Sequence, residues 1–499
     1  MLELADLHAV HGVVMRFAKL IYAYQGLFIA SLLLVLVLAV LYALRRFALQ
    51  SVESHATIMG SKLSIPVSIV AAALNEEKVI LPAVRSLLAQ NYPEFEVILV
   101  DDGSTDGTID LLREAYELIP LDVRVNPALP SGPVTAAYRS RRDPRLTVIS
   151  KENRKSKADA LNCGINFAHY RYLCCVDGDT IYSPDALLDG MSIVQRNPSE
   201  VVGVTSYFGI SRTPEATAGA DGYRVVDRHW LSMLQNLDLM RSFLVNRLAF
   251  SEIGAMMCNP GAFAIWRKDL FAEIGGYDPG FSCEDIEFTY RVHEHFRRLR
   301  RRYQIAALPK LVAMTEGPDN VGALVKQRAR WQRVLMETVW AYRRMTLNPR
   351  YGTVGLVAMP YNLVFEAISP LVQLLSIVAV AVMALLQVID PRELLLLLIA
   401  VELITSAPSL LAILIDNRQH RDYRLRDILL LTVYSLLDFF LFKPIILVAG
   451  LKGSVDFLKG RKSWDKFERN DRRKSRKPWH GMERRSGKDR RARPRWPKL

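Results

Sequence analysis

The stretch YLCCVDGDTIYSPDAL, Tyr172 to Leu187, decides the fold. Tyr172 to Val176 has the apolar, aromatic character of a buried strand, and it ends on Asp177 and Asp179 with Gly178 between them. Side chains at i and i+2 of a strand leave on one face, so two carboxylates at its end aim at one spot. Gly178 leaves room for a close approach there. Two like charges held together are unfavourable unless a cation lies between them. A hard divalent ion meets that need, since Mg²⁺ takes one or two carboxylates plus substrate phosphates.

Upstream the pattern repeats. IPVSIVA (Ile65 to Ala71), FEVILV (Phe95 to Val100) and RLTVIS (Arg145 to Ser150) read as strands. Helical spacing follows them from Glu76, over Gly107 to Leu118, and over Ala158 to His169. This alternation predicts an α/β domain with a Rossmann-like, mainly parallel sheet covered on both faces. In such sheets ligands bind beyond the carboxyl ends of the strands. Cys174 and Cys175 are read as strand core. Five cysteines without a CxxC argue for reduced thiols rather than a disulfide or zinc framework.

Half of the 499 residues are hydrophobic, and the excess is local. Gly26 to Leu44 is uncharged, long enough to cross a bilayer, and followed at once by Arg45-Arg46. It starts late and lacks a small-residue cleavage site, which reads as a signal-anchor. Leu371 to Ile389, Leu394 to Ile415 (with Glu402) and Ile428 to Leu451 (with Asp438 and Lys443-Pro444) are further apolar runs. The expected organisation is an N-terminal segment over 1–50 and a cytoplasmic catalytic domain over 51–350. Interfacial and transmembrane helices over 351–451 and a basic, largely disordered cytoplasmic tail over 452–499 complete it.

The positive-inside rule puts Arg45-Arg46, the loop Asp416 to Asp427 and the tail in the cytoplasm. Parity then requires that Ile428–Leu451 does not cross once cleanly, or that Thr353–Ile389 crosses twice. Thr353 to Ile368, with Pro360 and Glu366, reads as interfacial. From Leu451 onward stand 19 lysines and arginines against six acids, a surplus of 13 out of the net +14. Such a tail reads as a juxtamembrane segment on anionic lipid headgroups, with no nucleic-acid partner expected.

Three further segments carry chemistry. Asp101-Asp102-Gly103-Ser104 follows the second strand; a carboxylate there can accept from a uracil N–H or ribose hydroxyl, or simply cap a turn. Glu284-Asp285 opens a helical pattern, where acids favour the helix dipole and where Asp285 can deprotonate an acceptor hydroxyl. His293 and His295 read as surface residues, and Arg297 to Arg302 as a solvated face. In Lys326-Gln-Arg-Ala-Arg-Trp-Gln332 the indole offers a platform for a sugar ring, and Gln327 and Arg330 reach hydroxyls or phosphates. The bland alternative is an interface-anchoring belt.

The ordered set of DDG, Lys157 in KSKADALN, DGD, CED and QRARW, flanked by apolar runs, resembles the membrane-bound processive members of glycosyltransferase family 2. These include cellulose, hyaluronan, chitin-oligosaccharide and poly-N-acetylglucosamine synthases. The resemblance covers about Val67 to Trp331 and reaches a W-x-K-x-x-R element at Trp464, Lys466 and Arg469. It implies a GT-A catalytic domain embedded between transmembrane helices of the inner cell membrane.

Carried over by motif, Asp102 would hold uracil or ribose beside Asp101, with Asn75 and Glu76 in the nucleoside pocket. Lys157 would lie near the diphosphate. Asp177 and Asp179 would form the DxD motif that reaches the nucleotide and a Mg²⁺ or Mn²⁺ ion, Asp179 more directly. Asp285 would be the base, with Glu284 beside it, while Gln327, Arg330 and Trp331 would frame the acceptor and the diphosphate. The implied reaction moves glucose or N-acetylglucosamine from a UDP-sugar to a growing β-linked polysaccharide with inversion, and exports it. Single transfer to a lipid or glycan acceptor is the alternative.

This chain departs from the family pattern in places. It has Ala72-Ala73-Leu74-Asn75-Glu76 for P-A-Y-N-E, Lys155-Ser-Lys157 for Gly-Gly-Lys, Cys283 for Thr, and Val334 where Gly often stands. A nucleotidyltransferase would share the paired carboxylates but leave QRARW unexplained. A membrane scaffold acting through its tail would need none of the acids.

Overall fold

The structure, a computed structural model, describes residues 4–50, 55–60, 64–122, 127–214, 218–219, 222–223, 227–385, 390–420 and 423–461. Trp464, Lys466, Arg469 and the basic tail beyond 461 lie outside the described residues. At the centre of the sheet four strands run parallel: β1 (Val67–Ala73), β2 (Phe95–Asp101), β5 (Leu146–Lys151) and β6 (Tyr172–Asp177). They coincide with the four apolar runs read from the sequence.

Six more strands complete a ten-stranded sheet of order β3-β4-β5-β2-β1-β6-β11-β8-β12-β7. β3 (Leu118–Pro120) and β4 (Val134–Ser140) form one edge, and β7 (Ile181–Tyr182), β8 (Val201–Ile210), β11 (Phe263–Arg267) and β12 (Gln304–Thr315) the other side, while β9 (Ala218–Gly219) and β10 (Gly222–Tyr223) pair in a separate two-stranded sheet. β11 runs antiparallel to β6, with Phe263 opposite Val176. The entry to β11 therefore lies beside the exit from β6, where Asp177 stands. That antiparallel insertion builds half of the site.

Strand alternation divides the core between the two faces of the sheet. Val70, Ile98, Val100 and Cys175 pack on one side, and Ile69, Val97, Leu99 and Cys174 on the other. All five cysteines are free thiols, and the adjacent pair fills strand core as read. The helix Lys157–Phe167 lies directly on the sheet at Gly164, where a β-carbon would come within 2.5 Å of Val70. Close seating brings Lys157, its first residue, to the carboxyl edge of the sheet.

Among the described residues two helices are long and apolar enough to cross a membrane, Lys19–Leu49 and Pro391–Arg418. Two further pairs, Val354–Ala367 with Ser369–Leu385 and Leu425–Leu441 with Lys443–Leu458, qualify only if each is one span bent by 48°. The second bend falls at Phe442, beside the Lys443-Pro444 step. The N-terminal helix is not a detached anchor. Its Tyr42 hydroxyl donates to the Ala307 carbonyl at 2.8 Å and is buried within β12's packing. The helix Val321–Ala341 meets Lys443–Leu458 at Gly453, where a β-carbon would lie 2.3 Å from the Ala329 carbonyl. Only glycine permits that approach.

One residue read as exposed proves to be core. His293 is 1% exposed; Nε2 donates to the Met256 carbonyl at 2.7 Å and Nδ1 meets the Tyr303 hydroxyl. Arg297 likewise bonds inward, to Thr353 and the Gly254 carbonyl. The i, i+2 spacing does turn His293 and His295 to different sides; His293 takes the inner one because the helix packs under Tyr303. Burial pushes the His293 imidazole down to about 4. Protonation thus favours the unfolded chain. Its contribution is fully present above the unfolded value near 6.5 and is lost as pH falls through the window down to about 4. We expect a loss of about 3 kcal/mol across that window. Thermal midpoints in detergent should fall less steeply over it for His293→Asn than for the unaltered protein; equal slopes would show that His293 does not titrate there.

Candidate active site

The carboxyl edge of the sheet gathers three groups of side chains in the order β2, β1, β6, β11. At β2, Asp101 and Asp102 are both buried. Lys151, wholly buried at the end of β5, donates to Asp102 Oδ1 at 2.7 Å and pairs with Asp159 at 2.6 Å. Burial raises the Asp102 carboxyl, and Lys151 opposes that rise. Gly103 takes φ +71°, and a β-carbon there would press on the backbone of Lys151 and Asn153. At β1, Asn75 adopts φ +53°, a left-handed conformation asparagine tolerates. Its Oδ1 accepts from Thr105 N–H at 2.8 Å, while Glu76 N–H donates to Thr108 Oγ1 at 2.9 Å. These two residues tie the DDGSTDGT loop to β1.

The second group answers why glycine separates Asp177 from Asp179. A β-carbon at 178 would lie 2.7 Å from the Ala72 carbonyl, and Gly178 N–H donates to that same oxygen at 3.2 Å. What approaches closely is the neighbouring strand, not a ligand. The turn is fastened further by Tyr182: Asp177 N–H donates to its oxygen at 3.2 Å, and its O–H donates to the Ala262 carbonyl at 2.8 Å. Lys157 Nζ bonds Asp177 Oδ1 and lies 3.0 Å from Glu284 Oε1.

Gly261, in the turn leading into β11, makes this possible. A β-carbon there would come within 2.7 Å of Lys157 Nζ and 3.2 Å of Glu284 Oε1. Burial works against the Lys157 ammonium, but Asp177, Glu284 and Asp285 together hold its pKa well above the usual lysine range. Burial also raises the Asp177 carboxyl; Lys157 opposes this and the charge of Asp179 adds to it.

The third group comes from two helix segments. Asp285, in the first turn of Glu284–Arg298, accepts from Gly261 N–H at 2.9 Å through Oδ2, and from Cys283 Sγ at 3.1 Å through Oδ1. Gln327, Arg330 and Trp331 occupy i, i+3 and i+4 of Val321–Ala341, one face of that helix. Burial draws the Arg330 guanidinium down, and Cys283, Glu284 and Asp285 act on its charge in the opposite sense. Arg330 is therefore within electrostatic reach of the acids. Trp331 is 38% exposed, with the Arg328 guanidinium 4.2 Å from its ring centre.

Asp177 and Asp179 supply hard oxygen donors at the strand end, with Lys157 taking Asp177 Oδ1 and leaving Oδ2 for a further cation. That fits a Mg²⁺- or Mn²⁺-type ion completed by phosphate oxygens and water. Among the described residues no group of three or more His, Cys, Asp or Glu is placed to hold a metal alone. Lys151, Tyr182 and Gly261 were not singled out from the sequence. A lysine at the end of β5 facing an acid at the end of β2 is the one signal that adjacency of the strands would have offered.

The fold is that of the GT-A glycosyltransferases, and residues 65–333 match the family described as glycosyltransferase like family 2. The chain belongs to that family. It is 24% identical over 279 residues to the poly-beta-1,6-N-acetyl-D-glucosamine synthase of Staphylococcus epidermidis, covering 55% of this chain and 57% of that protein. The synthase of Staphylococcus aureus (strain N315) is 24% identical over 264 residues, 52% of each chain. The matched region thus spans little more than half the length of these curated relatives. Among solved structures, the mannosyltransferase PcManGT from Pyrobaculum calidifontis, in complex with GDP-Man and Mn²⁺, superposes with a TM-score of 0.52. It is 16% identical over 90% of this chain and 99% of its own, a likeness of fold alone.

Proposed function

We propose that the chain is an inverting membrane glycosyltransferase that adds N-acetylglucosamine or glucose from a UDP-sugar to a growing β-linked polysaccharide, which the apolar helices help to export. The observation that carries this reading is the meeting of Asp177, Lys157, Glu284 and Asp285 around Gly261. The donor would lie along the carboxyl edge. Its nucleoside would sit over Asn75, Glu76, Asp101 and Asp102, where the second Asp102 oxygen accepts from the base while Lys151 holds the first. Its diphosphate would reach Lys157, Asp177 and Asp179. A divalent ion held by Asp179 and Asp177 would offset charge on the departing diphosphate.

Asp285, oriented by Gly261 N–H, takes the proton of the acceptor hydroxyl as that oxygen attacks the anomeric carbon. Arg330 adds positive charge on the side of the leaving group. Trp331 offers its exposed face to the acceptor sugar. The catalytic domain faces the cytoplasm, where nucleotide sugars are made, and the basic tail meets anionic headgroups. Excluding water prevents simple hydrolysis of the donor, a task for the Gln327–Trp331 and Trp464–Arg469 segments.

The test is to incubate membranes containing the full chain with radiolabelled nucleotide sugars and Mg²⁺ or Mn²⁺. Label from UDP-N-acetylglucosamine or UDP-glucose should enter a long β-linked product. Products carrying one added sugar would favour the single-transfer alternative, and no incorporation from any donor would remove the reading.

A further inference from the structure

Arg328 sits between the glutamine and the arginine of Q-R-A-R-W, and the family resemblance gives it no role. It is 9% exposed, in a helix whose neighbours Gln327, Arg330 and Trp331 all have one. Its Nη1 lies 2.8 Å from Asp238 Oδ2. The carbon of its guanidinium lies 4.2 Å from the centre of the Trp331 ring and 5.9 Å from that of Phe442, the residue at the bend between the helices Leu425–Leu441 and Lys443–Leu458. Nε and Nη2 are buried with no hydrogen-bond partner.

That arrangement is costly to keep. A buried N–H with no acceptor loses the full desolvation energy of the group. An ion pair with Asp238 alone would not require it, since a lysine ammonium reaches a carboxylate without burying a planar fork. What the guanidinium adds is a flat cationic face against an indole, a favourable contact that gains strength when desolvated. Asp238 is itself anchored. It takes Arg241 at 3.1 Å, and Arg241 pairs with Asp438 at 2.6 Å, one turn before Phe442. Burial would raise the Asp238 carboxyl, but Arg328, Arg241 and Lys443 hold it below the usual range, so the anchor stays charged.

We propose that Arg328 is a positioning residue: gripped by Asp238, it fixes the plane of Trp331 and so sets the subsite where the acceptor sugar stacks. The acceptor half of this statement rests on the function proposed above; the positioning half does not. Arg328 touches no reacting atom. It acts through the indole, and the chain Asp438–Arg241–Asp238–Arg328–Trp331 ties that subsite to the bend at Phe442.

The experiment uses the full-length protein in detergent and in native membranes, with Arg328→Gln, Arg328→Lys, Trp331→Ala and the double variant Arg328→Gln/Trp331→Ala. Hydroxyl-radical footprinting read by mass spectrometry reports the exposure of Trp331 without reference to any substrate. Arg328→Gln should raise its labelling about threefold and Arg328→Lys by less, because lysine keeps the charge and loses the plane. Unchanged labelling in Arg328→Gln overturns the positioning role.

Kinetics with UDP-N-acetylglucosamine and a short β-linked N-acetylglucosamine oligomer then test the acceptor half. Arg328→Gln should raise KM for the oligomer about tenfold and move KM for the donor less than about twofold. In the Trp331→Ala background the same change should add less than about twofold, since its effect passes through the ring. A full additive effect, or a rise in donor KM alone, overturns the acceptor assignment. If the unaltered protein transfers no sugar, the proposed function fails with that assignment, and the footprint still decides whether Arg328 positions Trp331.

Discussion

Replacing Asp285 by asparagine is expected to lower sugar transfer by about 10³-fold, within the range that a positioned general base contributes. Affinity for the nucleotide sugar should stay within about threefold, because the amide keeps the shape and can still accept from Gly261 N–H. The geometry supports a specific effect on turnover: Oδ2 is held by a backbone amide and Oδ1 by Cys283, so the carboxylate is fixed in direction before any substrate arrives. Glu284, one residue earlier, should behave differently. It is buried against Lys157, and Glu284→Gln should disturb donor affinity as well as turnover. The measurement is steady-state transfer beside isothermal titration of UDP-sugar. An Asp285→Asn protein that keeps more than about a tenth of the rate would remove Asp285 from the role of base.

Lys157→Met should be nearly as damaging, for a different reason. One ammonium serves Asp177 and Glu284 at once, and Asp285 also acts on it. Methionine matches the length of the stem and removes the charge, which leaves Glu284 buried at 4% exposure without its cation. Breaking a buried pair in this way costs about 3–5 kcal/mol, so the thermal midpoint should fall and kcat/KM should drop about 10³-fold. Lys157→Arg should rescue little, because Nζ already lies where a β-carbon at Gly261 would sit 2.7 Å away, leaving no room for a wider head. Retained activity in Lys157→Met would show that the diphosphate is met elsewhere.

The parallel centre of the sheet was legible because each of its strands is a short, mainly apolar run with helical spacing after it. The outer strands were not. β11 is five residues long and β12 carries Pro309 and Lys310, so neither announces itself by period. Without β11 nothing in the pattern brings Asp285 to Asp177, which lie in different halves of the domain. The acids themselves were found by strand-end placement and by family pattern.

Their partners are a matter of tertiary contact. Lys151 meets Asp102 across 49 positions. Lys157 meets Glu284 only because Gly261 has no side chain. Gly178 was noticed for the wrong neighbour, since periodicity shows that space is needed and does not say what fills it. His293 was misplaced for a related reason: helix spacing separates it from His295 without telling which of the two faces inward.

The contact at Gly453 has a mechanical consequence. With the Ala329 carbonyl seated where a side chain would otherwise stand, the helix Lys443–Leu458 and the Q-R-A-R-W helix touch main chain to main chain. A rotation of the helix Lys443–Leu458 by one residue, about 100°, would turn Lys452 or Ser454 into that space. The two therefore travel as a single strut. A displacement of the helix Lys443–Leu458 is thereby coupled to the helix that carries Arg330 and Trp331.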